Sequence, residues 1–449
     1  MSILQVEPAM LRECQVVNLW QHRCYGGADM ATDNGEPLRV VYPGRLNDDR
    51  GADFRDAVIF ADGQMVKGEV EVHVRSSSWQ AHRHHEDPAY NNVILHVVMW
   101  RDSPAATVLS NGKEVPTLVL SESWERYSGS GMPCREADAS LTWEAISRVL
   151  DDAGRERFLA KSDNFLVEMD QIDGGQSLYQ GVMGALGYSK NKEPCLELAR
   201  RLPLNILEAI AQANSPKEEC LYQLQALLMG SAGLLPSQRF PEYQRNNSDD
   251  PRVARLEGYW ANNPNPAAMS GREWRIFKVR PGNFPVRRIA AMSYLLLRYR
   301  EGGLLEGITR LVDKASIEEE HRKLEAGFIV TDDGYWSGHY DFGPGRKLTK
   351  TALLGGNRAA GIAINILLPF TSAWGRFTSQ TGLEEKALDL YGSYPGTAEN
   401  SVVRHMKNQL GLKGKSHLTA RQEQGLIHIY DTLCTQGRCN RCQLNYRKG

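Results

Sequence analysis

The stretch Gly51-Ala52-Asp53-Phe54-Arg55-Asp56-Ala57-Val58-Ile59-Phe60, then Asp62-Gly63, then Gly68-Glu69-Val70-Glu71-Val72-His73-Val74-Arg75, decides how this chain is read. Asp-Gly between two such runs is the strongest short-range signal for a β-hairpin. Side chains alternate across a strand, so Val70, Val72 and Val74 share one face. Glu69, Glu71, His73 and Arg75 share the other. A solvated face ordinarily mixes Thr, Ser and Lys with its acids, so this file looks assembled. If it were only an exposed face, its cross-strand ion pairs would each be worth well under ~1 kcal/mol.

Carboxylates converging from two adjacent strands hold a hard divalent cation such as Mg²⁺ or Mn²⁺. A cationic or hydrogen-bonding group on the same face orients a water or stabilises charge on a phosphate. An Asp at a strand start, followed by an acid one position from a polar base on the next strand, resembles the PD-(D/E)XK nuclease core. The resemblance implies Asp53 as the first acid, Glu71 as the second and Glu69 as an additional one. His73 stands where that family has Lys, and its charge changes near neutral pH.

Downstream, Asn92-Val93-Ile94-Leu95-His96-Val97-Val98-Met99-Trp100 reads as a strand buried inside a sheet. A further hairpin, Ala106 to Leu109 and Pro116 to Leu120, turns at Asn111-Gly112. Upstream, Pro8 to Gln21 reads as an amphipathic helix with Leu11, Val16, Leu19 and Trp20 apolar. These elements make an α/β unit with a mixed sheet over residues 1–127. Residues 128–140, with Gly129, Gly131, Pro133 and a lone Cys134, read as a linker. From 141 to 449 the pattern is helical almost throughout, broken by a polar stretch at 241–250.

Several distinctive segments carry a resemblance over nearly the full length. They are Gly51-Ala52-Asp53-Phe54, Gly68 to His73, Trp79-x-x-His82-x-His84, Tyr90 to Val98, Arg280-Pro281-Gly282-Asn283-Phe284-Pro285, Gln424-Gly425-Leu426-Ile427 and the terminal cysteines. On these the chain resembles an uncharacterised bacterial family, domain of unknown function 2851. That resemblance implies one protein type along the chain and supplies no activity.

With 449 residues, 41% hydrophobic and 24% charged, the chain has the make-up of a globular protein of two or three domains. Its net charge of −1 means that any nucleic-acid surface must be local. No apolar run reaches the ~20 residues of a membrane helix, and the beginning lacks the features of a secretory leader. A cytoplasmic location is expected.

His82, His84, His85 and His96, with Asp87, follow the acidic strand closely. Neutral imidazole is a common transition-metal ligand and the commonest general base, so His82 and His96 are candidate proton carriers. His82 and His85 are spaced for one helical face, and His84 reads as a solvated loop residue. Cys434-x4-Cys439-x2-Cys442, flanked by Arg438, Arg441 and Arg447, is the most specific local motif. In a reducing compartment it points to zinc or a [4Fe–4S] cluster. The fourth ligand must then come from elsewhere. Among Cys14, Cys24, Cys220 and His428, the reading favours Cys220 or Cys14.

Arg75, Arg280, Arg287, Arg288 and Arg358 are candidate phosphate contacts, the last four lying in loops that lead into helices. Trp260, Trp274 and Trp336 offer stacking surfaces, although a tryptophan in a helical domain is more often core. The leading expectation is a metal-dependent nuclease or nuclease-like nucleic-acid processing enzyme. One alternative is a non-catalytic nucleic-acid- or protein-binding scaffold. A third is a His-rich metallohydrolase on another substrate.

Overall fold

The computed structural model describes the chain apart from residues 1–10, 24–29, 122–131, 133, 136–140, 241–249, 264–267, 278, 316–320, 333, 344–348, 350, 413–416 and 446–449. Most of the expected linker lies outside the described residues, as do Cys24, Arg447 and the polar break up to residue 249. Two compact units form. The first comprises Met1–Glu156, Glu399–Leu418 and Gln422–Gly449; the second comprises Arg157–Ala398 and Thr419–Arg421.

Sequence patterning divides the chain near residue 127 and gives everything after 141 to one helical region. The structure instead returns the C-terminal segments to the first unit. Tyr42, Val58, Ile146, Leu150, Val403, Met406, Leu426 and Tyr430 fill one apolar core there. Local periodicity marks such faces as apolar without saying which distant face they meet.

The first unit holds a mixed sheet. Its strands are β1 (Met30–Ala31), β2 (Pro37–Tyr42), β3 (Arg45–Leu46), β4 (Phe54–Ala61), β5 (Gln64–Arg75) and β6 (Val93–Trp100). Two short strands, β7 (Thr107–Val108) and β8 (Glu114–Val115), form a separate ribbon, and β9 (Thr117–Val119) rejoins the main sheet. The order is β1-β2-β4-β5-β6-β9, with β3 on β4. Pairs up to β5 are antiparallel, whereas β5–β6 and β6–β9 are parallel.

The expected second hairpin is thus cut short. After Pro116, which has no N–H to give a ladder, the chain leaves β8 and pairs Thr117 with His96.

The turn between β4 and β5 is tight because Asp62 (φ 49°) and Gly63 (φ 73°) both adopt the left-handed conformation that a two-residue hairpin requires. Val70 and Val72 are fully buried against Val16, Leu19 and Trp20 of helix α1 (Glu13–Arg23) and against Leu95 and Val97 of β6. Burying each such side chain contributes about 1.5–3 kcal/mol, which fixes the sheet's apolar face and so fixes the other.

The register slips once on β4, between Phe54 and Ala57, and once between Glu69 and Val70. At the second slip Gly68 lies so close to β6 that a Cβ would stand 2.4 Å from Ile94 Cγ2 and 2.6 Å from the Asn92 carbonyl oxygen.

The second unit is helical around a single large apolar core. One helix, Trp143–Met169, carries the chain past Glu156 from the residues of the first unit to those of the second. One stretch is a composite of Gly356–Ile362, a π-helical turn Ala363–Leu367 and Leu368–Phe377. Among the described residues no helix is long and apolar enough to cross a membrane.

A candidate metal centre on the polar face of the sheet

Because Val70 and Val72 face the core, Glu71 and His73 must face the other way, and both are buried there, at 5% and 1% exposure. Parallel pairing sets His96 beside Glu71, and Thr117 beside His96. A row of polar groups therefore crosses three strands.

Above that row runs the crossover from β5 to β6. Parallel strands cannot be joined by a tight turn, and here the connection is a four-residue helix (Ser78–Ala81) and two single 3₁₀ turns. Between His82 and His84, Arg83 takes the left-handed conformation (φ 60°, ψ 30°). Such a conformation is costly for a residue with a Cβ and clusters at functional sites. Here it lies between an exposed His82 and a buried His84 that converge on His73. The expectation that His82 and His85 share a helical face fails because the helix ends at Ala81. His85 Nε2 instead lies 3.4 Å from Glu86.

One ligand nitrogen from each of His73, His82 and His84 lies within 4.8 Å of the other two. Glu71 Oε1 is 3.4 Å from His73 Nε2 and 3.2 Å from His84 Nε2. His84 Nε2 is buried and makes no hydrogen bond. The two carboxylates are interlocked through the backbone. The Asp53 N–H donates to Glu71 Oε2 (3.0 Å), and the Val72 N–H donates to Asp53 Oδ2 (3.1 Å). One oxygen of each acid is thus fixed.

Behind His73 a hydrogen-bonded chain leads inward. His73 Nδ1 is 3.0 Å from His96 Nε2, His96 Nδ1 is 2.8 Å from Thr107 Oγ1, and Thr107 Oγ1 is 3.2 Å from Thr117 Oγ1. When His73 donates through Nδ1, each following group donates onward and the Nε2 lone pair is left for a ligand. Run in reverse, the chain puts a proton on Nε2. A cation selects the first direction, as partners behind metal-binding histidines do.

Electrostatics point the same way. Burial, and then the charge of Glu71, push the Asp53 carboxyl well above its usual range; burial, with Glu13 and Glu69 adding, does the same to Glu71. Burial and then the neighbouring imidazoles push His73 down to about 2, and burial takes His96 down to about 3. His84 is lowered by burial as well, against the charges of Asp53 and Asp87. Protein alone therefore leaves neutral imidazoles crowded around carboxyls that resist ionising. A dication reverses that balance, since imidazole lone pairs and carboxylates both gain from it.

Other expected residues are placed as follows. Glu69 faces Arg55 at 3.8 Å and is only half-buried; its charge reaches Glu71 but it joins none of the hydrogen bonds above. Arg75 ends β5, exposed. Arg280 is exposed in the second unit. Arg287 is fully buried and donates to the carbonyls of Trp336, His339, Thr351 and Ala352. Arg288 donates to the Leu353 carbonyl, Asn283 Oδ1 and the Tyr188 hydroxyl. Arg358 lies over the Tyr188 ring. Arg287 and Arg288 therefore tie a loop to their helix, and the expected phosphate contact at those two positions is replaced by structural bonding. Trp274 and Trp336 are core.

Cys434, Cys439 and Cys442 lie in the first unit together with Cys134. Of the favoured fourth ligands, Cys220 is buried in the second unit, where its thiol approaches the Ser215 carbonyl, and Cys14 is exposed on α1. His428 pairs with Glu156.

Sequence reasoning missed His84, Tyr90, whose ring lies 3.9 Å from that of His84, and the two threonines behind His96. The spacing His82-x-His84 was the available signal. A strand period does not extend into a crossover, so nothing in it marks which side His84 faces.

A family model described as "Protein of unknown function (DUF2851)" matches residues 13–400, most of the chain, and the chain belongs to that family. The C-terminal cysteines lie beyond the matched residues. No curated protein and no solved structure matches it.

Proposed function

We propose that this member of a family without an assigned activity is a metal-dependent hydrolase acting on phosphodiester bonds. The observation that carries the reading is the meeting of three imidazole nitrogens within 4.8 Å of one another with Glu71 Oε1 at 3.2 Å and 3.4 Å from two of them. Imidazoles with one carboxylate suit Mn²⁺, Fe²⁺ or Zn²⁺ better than Mg²⁺, which prefers oxygen ligands and several waters. The cation expected from Asp53, Glu69 and Glu71 alone is accordingly reassigned to His73, His82, His84 and Glu71.

Such a cation supplies a water of lowered pKa and polarises a phosphoryl oxygen. Asp53, held by the Val72 N–H, would be the proton acceptor for such a water. His96 keeps the Nε2 lone pair of His73 free. Exposed His82 marks the side from which a substrate enters. Two features favour a phosphodiester. Asp53 leads into one strand and Glu71 sits on its antiparallel neighbour, with a parallel strand beyond; this resembles the arrangement of the nuclease core, and the support is analogy. Exposed Arg75 follows His73 by two residues on β5 and suits an anionic substrate, whereas Arg50 and Arg83 are paired with Asp87 and Glu86.

Purified protein is incubated with labelled single- and double-stranded DNA and RNA in Mn²⁺, Zn²⁺, Mg²⁺ or EDTA. Cleavage is expected with a transition metal and not with EDTA. Tight metal binding with no cleavage of any of the four substrates would end the phosphodiester reading and favour a binding role.

A further inference from the structure

The second cluster of metal-binding side chains is independent of the histidine site. The helix Ala420–Thr432 is followed by a 3₁₀ turn at Cys434–Gln436, a left-handed Gly437 (φ 64°) and a second 3₁₀ turn at Cys439–Arg441. This path winds the three cysteines of the motif tightly. A Cβ on Gly437 would stand 2.6 Å from Met65 Cε and 2.8 Å from Val41 Cγ1. The winding is therefore pressed against the β2 and β5 side chains and is not a loose tail.

Cys134 comes to the same place from a distant part of the sequence. Cys134, Cys434 and Cys442 are buried, at 7%, 5% and 7% exposure, and Cys439 is partly buried, all in one apolar cluster. Gln409, on the helix Ser401–Gln409, points Nε2 at two of them, 3.3 Å from Cys134 Sγ and 3.9 Å from Cys434 Sγ. None of the four is in a disulfide.

We propose that Cys134, Cys434, Cys439 and Cys442 are the four thiolate ligands of an iron–sulfur cluster, with Gln409 as a hydrogen-bond donor to its sulfurs. Four cysteines is the usual complement for such a cluster, and hydrogen bonds to the sulfurs tune it. Spacing separates it from a single zinc ion. Zn–S bonds of ~2.3 Å in a tetrahedron bring the sulfurs to about 3.8 Å from one another. Among the described residues no three cysteine sulfurs come within 4.8 Å. A polynuclear cluster has a metal–sulfide core between its thiolates and so holds them wider apart. Binding it would tie the segment around Cys134 to the C-terminal cysteines inside one unit, so its binding energy would also be folding energy.

The test is iron, zinc and acid-labile sulfide analysis, with visible absorption, on the full chain purified without oxygen. Wild type is expected to carry roughly four irons and four sulfides per chain. Cys439→Ser is the informative variant, because Cys439 is the least buried of the four and serine there leaves the core filled. It and Cys134→Ser are expected to lose at least nine-tenths of the iron, while Cys220→Ser keeps it. Far-ultraviolet circular dichroism on each variant separates loss of metal from loss of fold. Wild type with neither metal, or a folded Cys134→Ser with its full iron, overturns the proposal. One zinc per chain, lost in the same variants, overturns the iron–sulfur assignment.

Discussion

Two regions of this molecule bury charged or titratable side chains, and they treat them in opposite ways. In the helical unit Arg287 is enclosed completely, yet its guanidinium meets four carbonyl oxygens and a threonine hydroxyl. On the sheet, His73, His84, Asp53 and Glu71 are buried against one another, with every imidazole pushed towards neutrality and both acids pushed towards protonation. A buried charge whose two terminal nitrogens are met by the chain's own oxygens is architecture. Buried groups that oppose one another gain from something that arrives later.

That contrast is broken most directly at Arg287. Replacing it by Ala leaves four carbonyls without their donor and opens a cavity, and should cost about 3–5 kcal/mol in denaturant unfolding. A cost under ~1 kcal/mol would remove the architectural half of the comparison.

An intermediate case sharpens it. His405 Nε2 lies 2.6 Å from the Tyr42 hydroxyl, with the Tyr430 ring, Arg45 and Asp56 around it. Burial, and then Arg45, take the imidazole down to about 4. The folded state refuses a proton that the unfolded chain accepts near 6.5, so this contribution is complete above that pH and is lost as pH falls to about 4. Up to about 3 kcal/mol is at stake. His405→Phe should flatten the pH dependence of stability between 4 and 6.5, measured against wild type; an unchanged slope would contradict it.

At the sheet site the expectation reverses. Glu71→Gln removes a charge that the protein alone does not favour, so metal-free stability should stay within about 1 kcal/mol or rise. Metal affinity should fall at least ~10-fold and metal-dependent turnover about a hundredfold. Titration calorimetry with Mn²⁺ reads the first, and undiminished cleavage would show that the wrong carboxylate has been named.

The smallest effect is at Gly68. Its Cβ would meet Ile94 and the Asn92 carbonyl, so Gly68→Ala should cost about 1–2 kcal/mol and loosen the register that sets Glu71 beside His96. A neutral result in thermal unfolding would mean that β5 and β6 can part without harm.

The sequence carried the valine face, the Asp62-Gly63 turn and the position of Glu71 and His73, because period two is a local property. It misplaced Glu69 because a register slip falls immediately after it. It left His84 in solvent because one left-handed residue, Arg83, sets the course of the crossover. Arg287 and Arg288 looked like an anion site because loop arginines before a helix read alike whether their partners are phosphates or the chain's own carbonyls. Cys134 looked solitary because its partners lie three hundred residues on, a distance no spacing rule covers.

The first unit's core that joins Tyr42 and Val58 to side chains between 132 and 153 and between 403 and 444 also sets a timetable. On a ribosome the sheet is complete long before the helices that cover Tyr42 and Val58 exist. At ordinary elongation rates the interval is on the order of tens of seconds. During it an apolar patch waits on chain yet to be made. A truncation before residue 403 would leave Tyr42 and Val58 permanently without the side chains that cover them.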